Sequence, residues 1–244
     1  AARADPSSYS AAWTAPTSDN PMPTIRAAFD KARIVLPELR FRQEWLAEFL
    51  SGSGLVFRNV DLCATAPRVE RAEPGRRYAM GVDLARLTDF TVISVLDCTD
   101  EIPREVYLDR FQGIDWRLQI DRITAVVGAF RPGMVAVDQT GVGDMPVGEL
   151  QIALPDTVVW GVRFNVANKT AMVHGLAAAF ERMGIEIQPD PVRLSELRAY
   201  SGKERLSGTL EYGAPSGMHD DTVSALMLAF DVAQHVNAPG MITI

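Results

Sequence analysis

Four aspartates from three distant segments carry the most chemically informative pattern in the sequence. Asp83 interrupts an apolar run in Gly81-Val-Asp-Leu-Ala-Arg86, Asp138 ends Met134-Val-Ala-Val-Asp138, and Asp220 with Asp221 opens an apolar helical stretch. An ionised carboxylate inside a strand is costly unless it meets a cation or several donors. Mg2+ and Mn2+ are hard ions that take oxygen ligands in octahedral geometry. Two of them about 3.5–4 Å apart activate a water and stabilise a leaving alkoxide. Asp83 is the acid central enough to bridge both ions, with Asp138 holding one and one of the terminal pair the other. Successive helical residues diverge by about 100°, so Asp220 and Asp221 do not both face one ion. Asp221 is favoured as the ligand and Asp220 stays open as the alternative.

Each acid also has an ordinary structural role open to it. Asp220 or Asp221 suits a helix N-cap or the positive end of the helix dipole. Asp138 suits an Asx turn ahead of Gly141, Asp83 a buried pair with Arg86 or Arg77, and Asp89 a turn. The joint pattern carries the inference.

The elements that must position these acids follow from the periodicity. Strands are expected near 78–85, 90–97 and 104–111, separated by short polar connections and therefore antiparallel. Asp115 caps an expected helix with Ile120, Ile123, Val127 and Phe130 on one face, and Arg131-Pro-Gly133 stops it before a strand at Met134–Val137. A helix near 144–153 and a strand near 157–162 follow. Next comes a helix from Asn168 with Met172, Leu176, Phe180 and Met183 on one side, closed by Gly184 at C′. A helical piece near 192–200, a hairpin from Arg205 to Ala214 turning at Ser207-Gly208, and a final helix from His219 complete the chain. The acids converge only if the first strand, the fourth strand and the last helix are neighbours. An α/β fold permits this: a mixed β-sheet of three antiparallel strands then parallel ones, flanked by helices. That arrangement resembles the ribonuclease H fold.

Ahead of this domain, residues 1–23 read as a flexible arm. Residues 24–75 read as a helical linker: one helix through Ile25, Phe29, Ala32 and Leu36, a second through Phe41, Trp45 and Phe49, and a short strand over Leu55–Val60. The main domain spans 76–244. Position 1 is Ala, which points to a fragment or a processed product.

Composition narrows the function classes. In 244 residues, 47% are hydrophobic and 23% charged, as in an ordinary globular protein able to bury a full core. No run of about 18 apolar residues suggests a membrane span, and no signal peptide is visible, so a soluble intracellular protein is expected. Cys63 and Cys98 form no CxxC and read as inert thiols. The net charge of −7 argues against general polyanion affinity but leaves room for a local groove.

Three blocks together carry a family resemblance. They are Gly81-Val-Asp-Leu-Ala-Arg with Asp89-Phe-Thr-Val, Val137-Asp-Gln-Thr-Gly-Val-Gly143, and His219-Asp-Asp with Ala225-Leu-Met-Leu-Ala229. Over roughly 76–236 the chain resembles the nuclease domain of the large terminase subunit of tailed bacteriophages. Arg42-Gln-Glu-Trp-Leu-Ala-Glu-Phe49 with Gly54-Leu-Val-Phe57 looks like the linker end of that family's ATPase domain. The resemblance implies a metal-dependent endonuclease that cuts concatemeric double-stranded viral DNA during packaging in the host cell cytoplasm. It also implies partners: the ATPase domain of the same subunit, the portal and the small terminase subunit. By position, Asp83, Asp138 and Asp220/Asp221 match metal-binding acids and Asp89 an accessory acid. Asn168 and Lys169 match a polar or basic helix opening, and the hairpin near 205–214 an element beside the DNA path. No GxxxxGK[ST] occurs, so this stretch alone is expected to hydrolyse no ATP.

Arg163, Lys169, Arg193, Arg198, Lys203 and Arg205 are candidate contacts to the DNA backbone, each with solvated surface charge as its ordinary role. Rival readings are a junction resolvase or ribonuclease H proper, and, in other classes, an actin-like or sugar-kinase-type ATPase or a docking module with a vestigial site. Against the ATPase, Leu84 stands where that group wants Gly.

Overall fold

The computed structural model describes residues 3–4, 11–12, 15–35, 41, 44–46, 56–85, 89–204 and 210–236. Two compact units divide the chain at Gly54/Leu55. In the first, helix α1 (Pro23–Val35) presents Phe29 to the rings of Phe41 and Trp45, with centroids 5.0 and 6.1 Å away. That is the i, i+4 face expected of this segment; Leu36 and Phe49 lie outside the described residues.

The division falls ahead of the boundary near 75 that composition suggests, and the reason is burial. Phe57, Val60, Cys63 and Ala66 all sit in the core of the second unit. Phe57 packs its ring 5.7 Å from Phe180 and 5.3 Å from Tyr200. The short strand expected over Leu55–Val60 does not form among the described residues there; bends lead into the single-turn helix α2 (Val60–Cys63).

The second unit is built on five strands: β1 (Tyr78–Asp83), β2 (Thr91–Asp97), β3 (Arg104–Phe111), β4 (Met134–Asp138) and β5 (Val158–Val162), in the order β3-β2-β1-β4-β5. β1, β2 and β3 pair antiparallel, whereas β4 lies parallel to β1 and β5 parallel to β4. This is the expected mixed sheet. Between the strands run α3 (Trp116–Phe130) and α4 (Met145–Ala153), and after them α5 (Val166–Glu181), α6 (Pro191–Ala199) and α7 (Asp221–Val236). A hairpin, β6 (Ser201–Glu204) with β7 (Leu210–Gly213), stands apart from the sheet. Its first strand begins earlier than expected, and its turn lies outside the described residues.

Alternation along the central strands decides which helices cover which face. Tyr78, Met80, Val82, Val135 and Val137 join the core formed with α3 and α4. Ala79 and Ala136 join the core formed with α5, α6 and α7. Continuing the period of two, Gly81 and Asp83 of β1 and Asp138 of β4 point to that second side. The side chains there are small, which lets a helix come close.

Caps hold the helices where pattern places them. Asp115 accepts from the Leu118 N–H at the start of α3, as expected. α5 starts earlier than expected: Asn165 is its cap, and Asn168 closes a capping box three residues in. At its other end Met183 takes the left-handed conformation (φ 53°). The Gly184 N–H reaches back to the Ala179 carbonyl at 2.8 Å, a closure in which Gly184 is C″ rather than C′. Met183 is therefore exposed, not part of the buried stripe. Among the described residues no helix is long and apolar enough to cross a membrane. Both cysteines are buried and free; burial pushes the Cys98 thiol up to about 11.

Candidate metal centre

Asp83 and Asp138 are the last residues of two adjacent parallel strands and are Cα partners across them. Their shared face is covered by α7, which packs on β1, β2 and β4. What brings α7 so close is Gly81. A Cβ at that position would lie 2.2 Å from the Ala225 carbonyl oxygen and 2.3 Å from the Ala229 nitrogen, so helix backbone rests directly on strand backbone. Residues 225 and 229, both alanine, are one turn apart on the facing side of the helix. The first turn of α7 therefore arrives beside the carboxyl ends of β1 and β4, carrying Asp221, with Asp220 immediately before it.

The electrostatics reflect that convergence. Burial, followed by the charges of Asp138, Asp221 and Asp220, holds the Asp83 carboxyl well above the usual range, with Lys169 opposing. Asp138 is raised by burial, against the hydrogen bonds from Thr140 and the charge of Lys169. Asp221 is pushed up to about 6, by burial first and then by Glu196, with His219 opposing. All three acids are thus short of positive charge.

The remaining contacts give each acid a distinct situation. Asp138 Oδ1 accepts from the Thr140 N–H at 2.7 Å. The Asx turn and a ligand role are compatible, because the second oxygen is not used by that turn. Asp221 Oδ2 is buried and has no hydrogen-bond partner among the described residues; the His219 Nδ1 stands 3.6 Å away, too far for one. Asp220 Oδ2 lies 3.5 Å from the Lys169 Nζ. Asp89, at the exposed rim, lies 3.8 Å from His219 Nδ1, and its charge is among those that raise the Asp221 carboxyl. Among the described residues no three Asp, Glu, His or Cys side chains are gathered closely enough to enclose an ion as they stand.

A buried acid and an accessory ring escaped the sequence reading. Glu196 Oε2 accepts from the Thr222 N–H at 2.9 Å and from its hydroxyl, which makes a side chain of α6 the cap for the start of α7. A signal for it exists: Arg193, Glu196, Leu197 and Tyr200 fall at i, i+3, i+4 and i+7, so two charged residues occupy core positions of a helical stripe. All four are buried. His219 stands in the quoted motif without a role; its ring and that of Phe90 are nearly perpendicular, with centroids 5.7 Å apart.

The expected DNA contacts fare unevenly. Arg193 is fully buried, with Nη1 2.7 Å from Glu105 Oε1, which rules it out as a phosphate contact in this fold. Arg198 pairs with Asp61, and Arg163 Nη2 lies 2.5 Å from Asp144 Oδ1. Lys169 is half-buried among the carboxylates rather than on an open surface. Lys203 is exposed on β6, and Arg205 lies outside the described residues.

A family model for the terminase RNaseH-like domain matches residues 80–232. The chain belongs to that family. The large terminase subunit of Thermus virus P23-45 is 31% identical over 216 residues, which is 85% of this chain and 44% of that protein. The chain thus spans less than half the length of the curated relatives it matches. The crystal structure of the large terminase nuclease from thermophilic phage G20c superposes with a TM-score of 0.65 at 27% identity, covering 72% of this chain and 97% of the other. The same nuclease with bound magnesium gives a TM-score of 0.65 and 27% identity over 72% and 96%; it has also been solved with cobalt and with zinc. The terminase RNaseH-like domain here therefore carries its three acidic segments on the strand ends and helix start described above.

Proposed function

We propose that this chain is the nuclease part of a large terminase subunit, a divalent-metal-dependent endonuclease that cuts concatemeric double-stranded viral DNA during genome packaging. The observation that best supports the reading is the pairing of Asp83 with Asp138 at two parallel strand ends, under a helix start that brings Asp220 and Asp221. The donor set fits cations: all are hard oxygen ligands. Asp221 Oδ2 is buried without a hydrogen-bond partner among the described residues, and burial, followed by the neighbouring acids, holds Asp83 well above the usual range.

Asp83, Asp138 and Asp221, with Asp220 beside them, would hold two Mg2+ or Mn2+ ions. When bound, such ions supply Lewis acidity to the attacking and leaving oxygens of an in-line displacement at phosphorus. The chain's own groups do the positioning. The Thr140 N–H fixes one oxygen of Asp138. Glu196, through Thr222, fixes the first turn of α7. Lys169 offsets part of the acids' mutual repulsion.

The magnesium-bound G20c nuclease supports the same ion class here. The partners that go with this reading are duplex DNA, the ATPase domain of the same subunit, the portal and the small terminase subunit, in the host cell cytoplasm. Cleavage of supercoiled plasmid in Mg2+ or Mn2+, absent in chelator and in Asp83→Ala, is the expected result. Cleavage that survives both would overturn it. Four-way junctions and RNA–DNA hybrids run beside the plasmid distinguish it from a resolvase or a ribonuclease H.

A further inference from the structure

A groove of about 220 Å3 opens between the first turn of α5 and the β6–β7 hairpin, lined by Phe164, Val166, Lys169, Leu210, Glu211 and Tyr212 among others. It runs up to the acids. Lys169, in its wall, places Nζ 3.5 Å from Asp220 Oδ2. A Cβ on Gly213, next to Tyr212, would lie 3.5 Å from that same oxygen.

The ring of Tyr212 is fixed in place. Its hydroxyl meets His174 Nε2 at 2.9 Å, and the two rings stand edge to face with centroids 5.5 Å apart. Across the hairpin Tyr212 pairs with Gly202, where a Cβ would come within 3.0 Å of the ring, so the glycine makes room for it. Phe164 supplies a second ring, 5.7 Å from the Lys169 Nζ. A rigid aromatic surface beside one cation and a helix N-terminus suits a flat group joined to a phosphate.

We infer that this groove is a nucleotide subsite, which takes the base and phosphate of the residue flanking the bond to be cut, with that base displaced from the duplex. The inference rests on the nuclease reading for its substrate class. Phe164 and Tyr212 face the base, and Lys169 meets its phosphate while remaining in reach of Asp220. A displaced base costs unstacking, which stacking on protein rings offsets.

The test is an NMR titration of the full chain in EDTA, with deoxyadenosine 5′-monophosphate and with deoxyribose 5-phosphate as probes. The nucleotide is expected to bind about tenfold more tightly, within what one stacked base contributes. Tyr212→Ala should erase that ratio, Tyr212→Phe should keep it, and Lys169→Ala should weaken both probes by a similar factor. Equal affinities for the two probes, a ratio that survives Tyr212→Ala, or no saturable binding of either would overturn the subsite. Because no metal is present, the titration is independent of cleavage, and failure of the nuclease reading would appear separately in the plasmid assay.

Discussion

Asp83 and Asp138 stand opposite one another as the final residues of β1 and β4, Cα partners in a parallel pairing. Two acids side by side at strand ends, on the face that α7 covers, form a repulsive arrangement in which each disfavours the other's ionisation. Addition of Mn2+ to the metal-free protein should therefore stabilise it. At a concentration about 100 times the dissociation constant the gain is about 2.7 kcal/mol, readable as a rise in Tm. Asp83→Asn should lose that rise, and an equal rise in the variant would contradict the assignment.

The closeness of α7 depends on Gly81. In Gly81→Ala the new methyl meets helix backbone at 2.2 and 2.3 Å, and backbone cannot step aside as a flexible side chain can. Urea denaturation should show a loss of about 3 kcal/mol, the upper end of overpacking costs. Calorimetric titration of whatever remains folded should show weakened Mn2+ binding, since Asp220 and Asp221 move with the helix.

pH dependence follows from Asp221. Its folded pKa of about 6 lies above the ordinary aspartate value of 3.8, so the folded state binds the proton more tightly. The resulting penalty is absent below pH 3.8 and fully present above about 6, so this group makes metal-free stability fall as pH rises through that window. Its share is on the order of 3 kcal/mol. Urea midpoints in EDTA at pH 4.5 and 7 should differ less in Asp221→Asn than in wild type; identical pH slopes would contradict the shift.

Glu196 should prove a positioning residue. Glu196→Ala removes the cap at the start of α7 and should cost about 1–2 kcal/mol. It should also weaken Mn2+ binding, because Asp221 loses its fixed place. Glu196→Gln keeps an acceptor for Thr222 and should recover most of the metal affinity. If Gln binds Mn2+ no better than Ala, the capping role is wrong.

Arg193 should behave as core. Truncation to Met takes the guanidinium partner from the fully buried Glu105, whose donors among the described residues are then Ser94 and the Gln188 N–H, and should cost about 3–5 kcal/mol. The double change Arg193→Met with Glu105→Met should recover much of that in a denaturation experiment.

The sheet was legible because its strands are rich in β-branched residues, broken by short polar turns, and the helices because their stripes are regular. The three acidic segments were legible because each acid sits beside an apolar run where a charge needs a reason. The buried roles of Glu196 and Arg193 were not, for a common cause. A charged residue on a helix is by default solvated, and the partner brought from another element, Thr222 or Glu105, is what changes that. The placement of Gly81 against Ala225 and Ala229 was hidden for the same reason: a small residue in a strand shows its purpose only when the helix that needs the space is in view. Met183 misled because the αL position was assigned to the nearest glycine, whereas the chain placed glycine one residue later.

The most direct measurement is the anomalous scattering from a crystal of this chain soaked in Mn2+. Two ions about 3.5–4 Å apart, with Asp83 touching both, Asp138 on one and Asp221 or Asp220 on the other, are the expected result. Manganese bound elsewhere, or ions at the site that Asp83 does not touch, would contradict the two-ion centre.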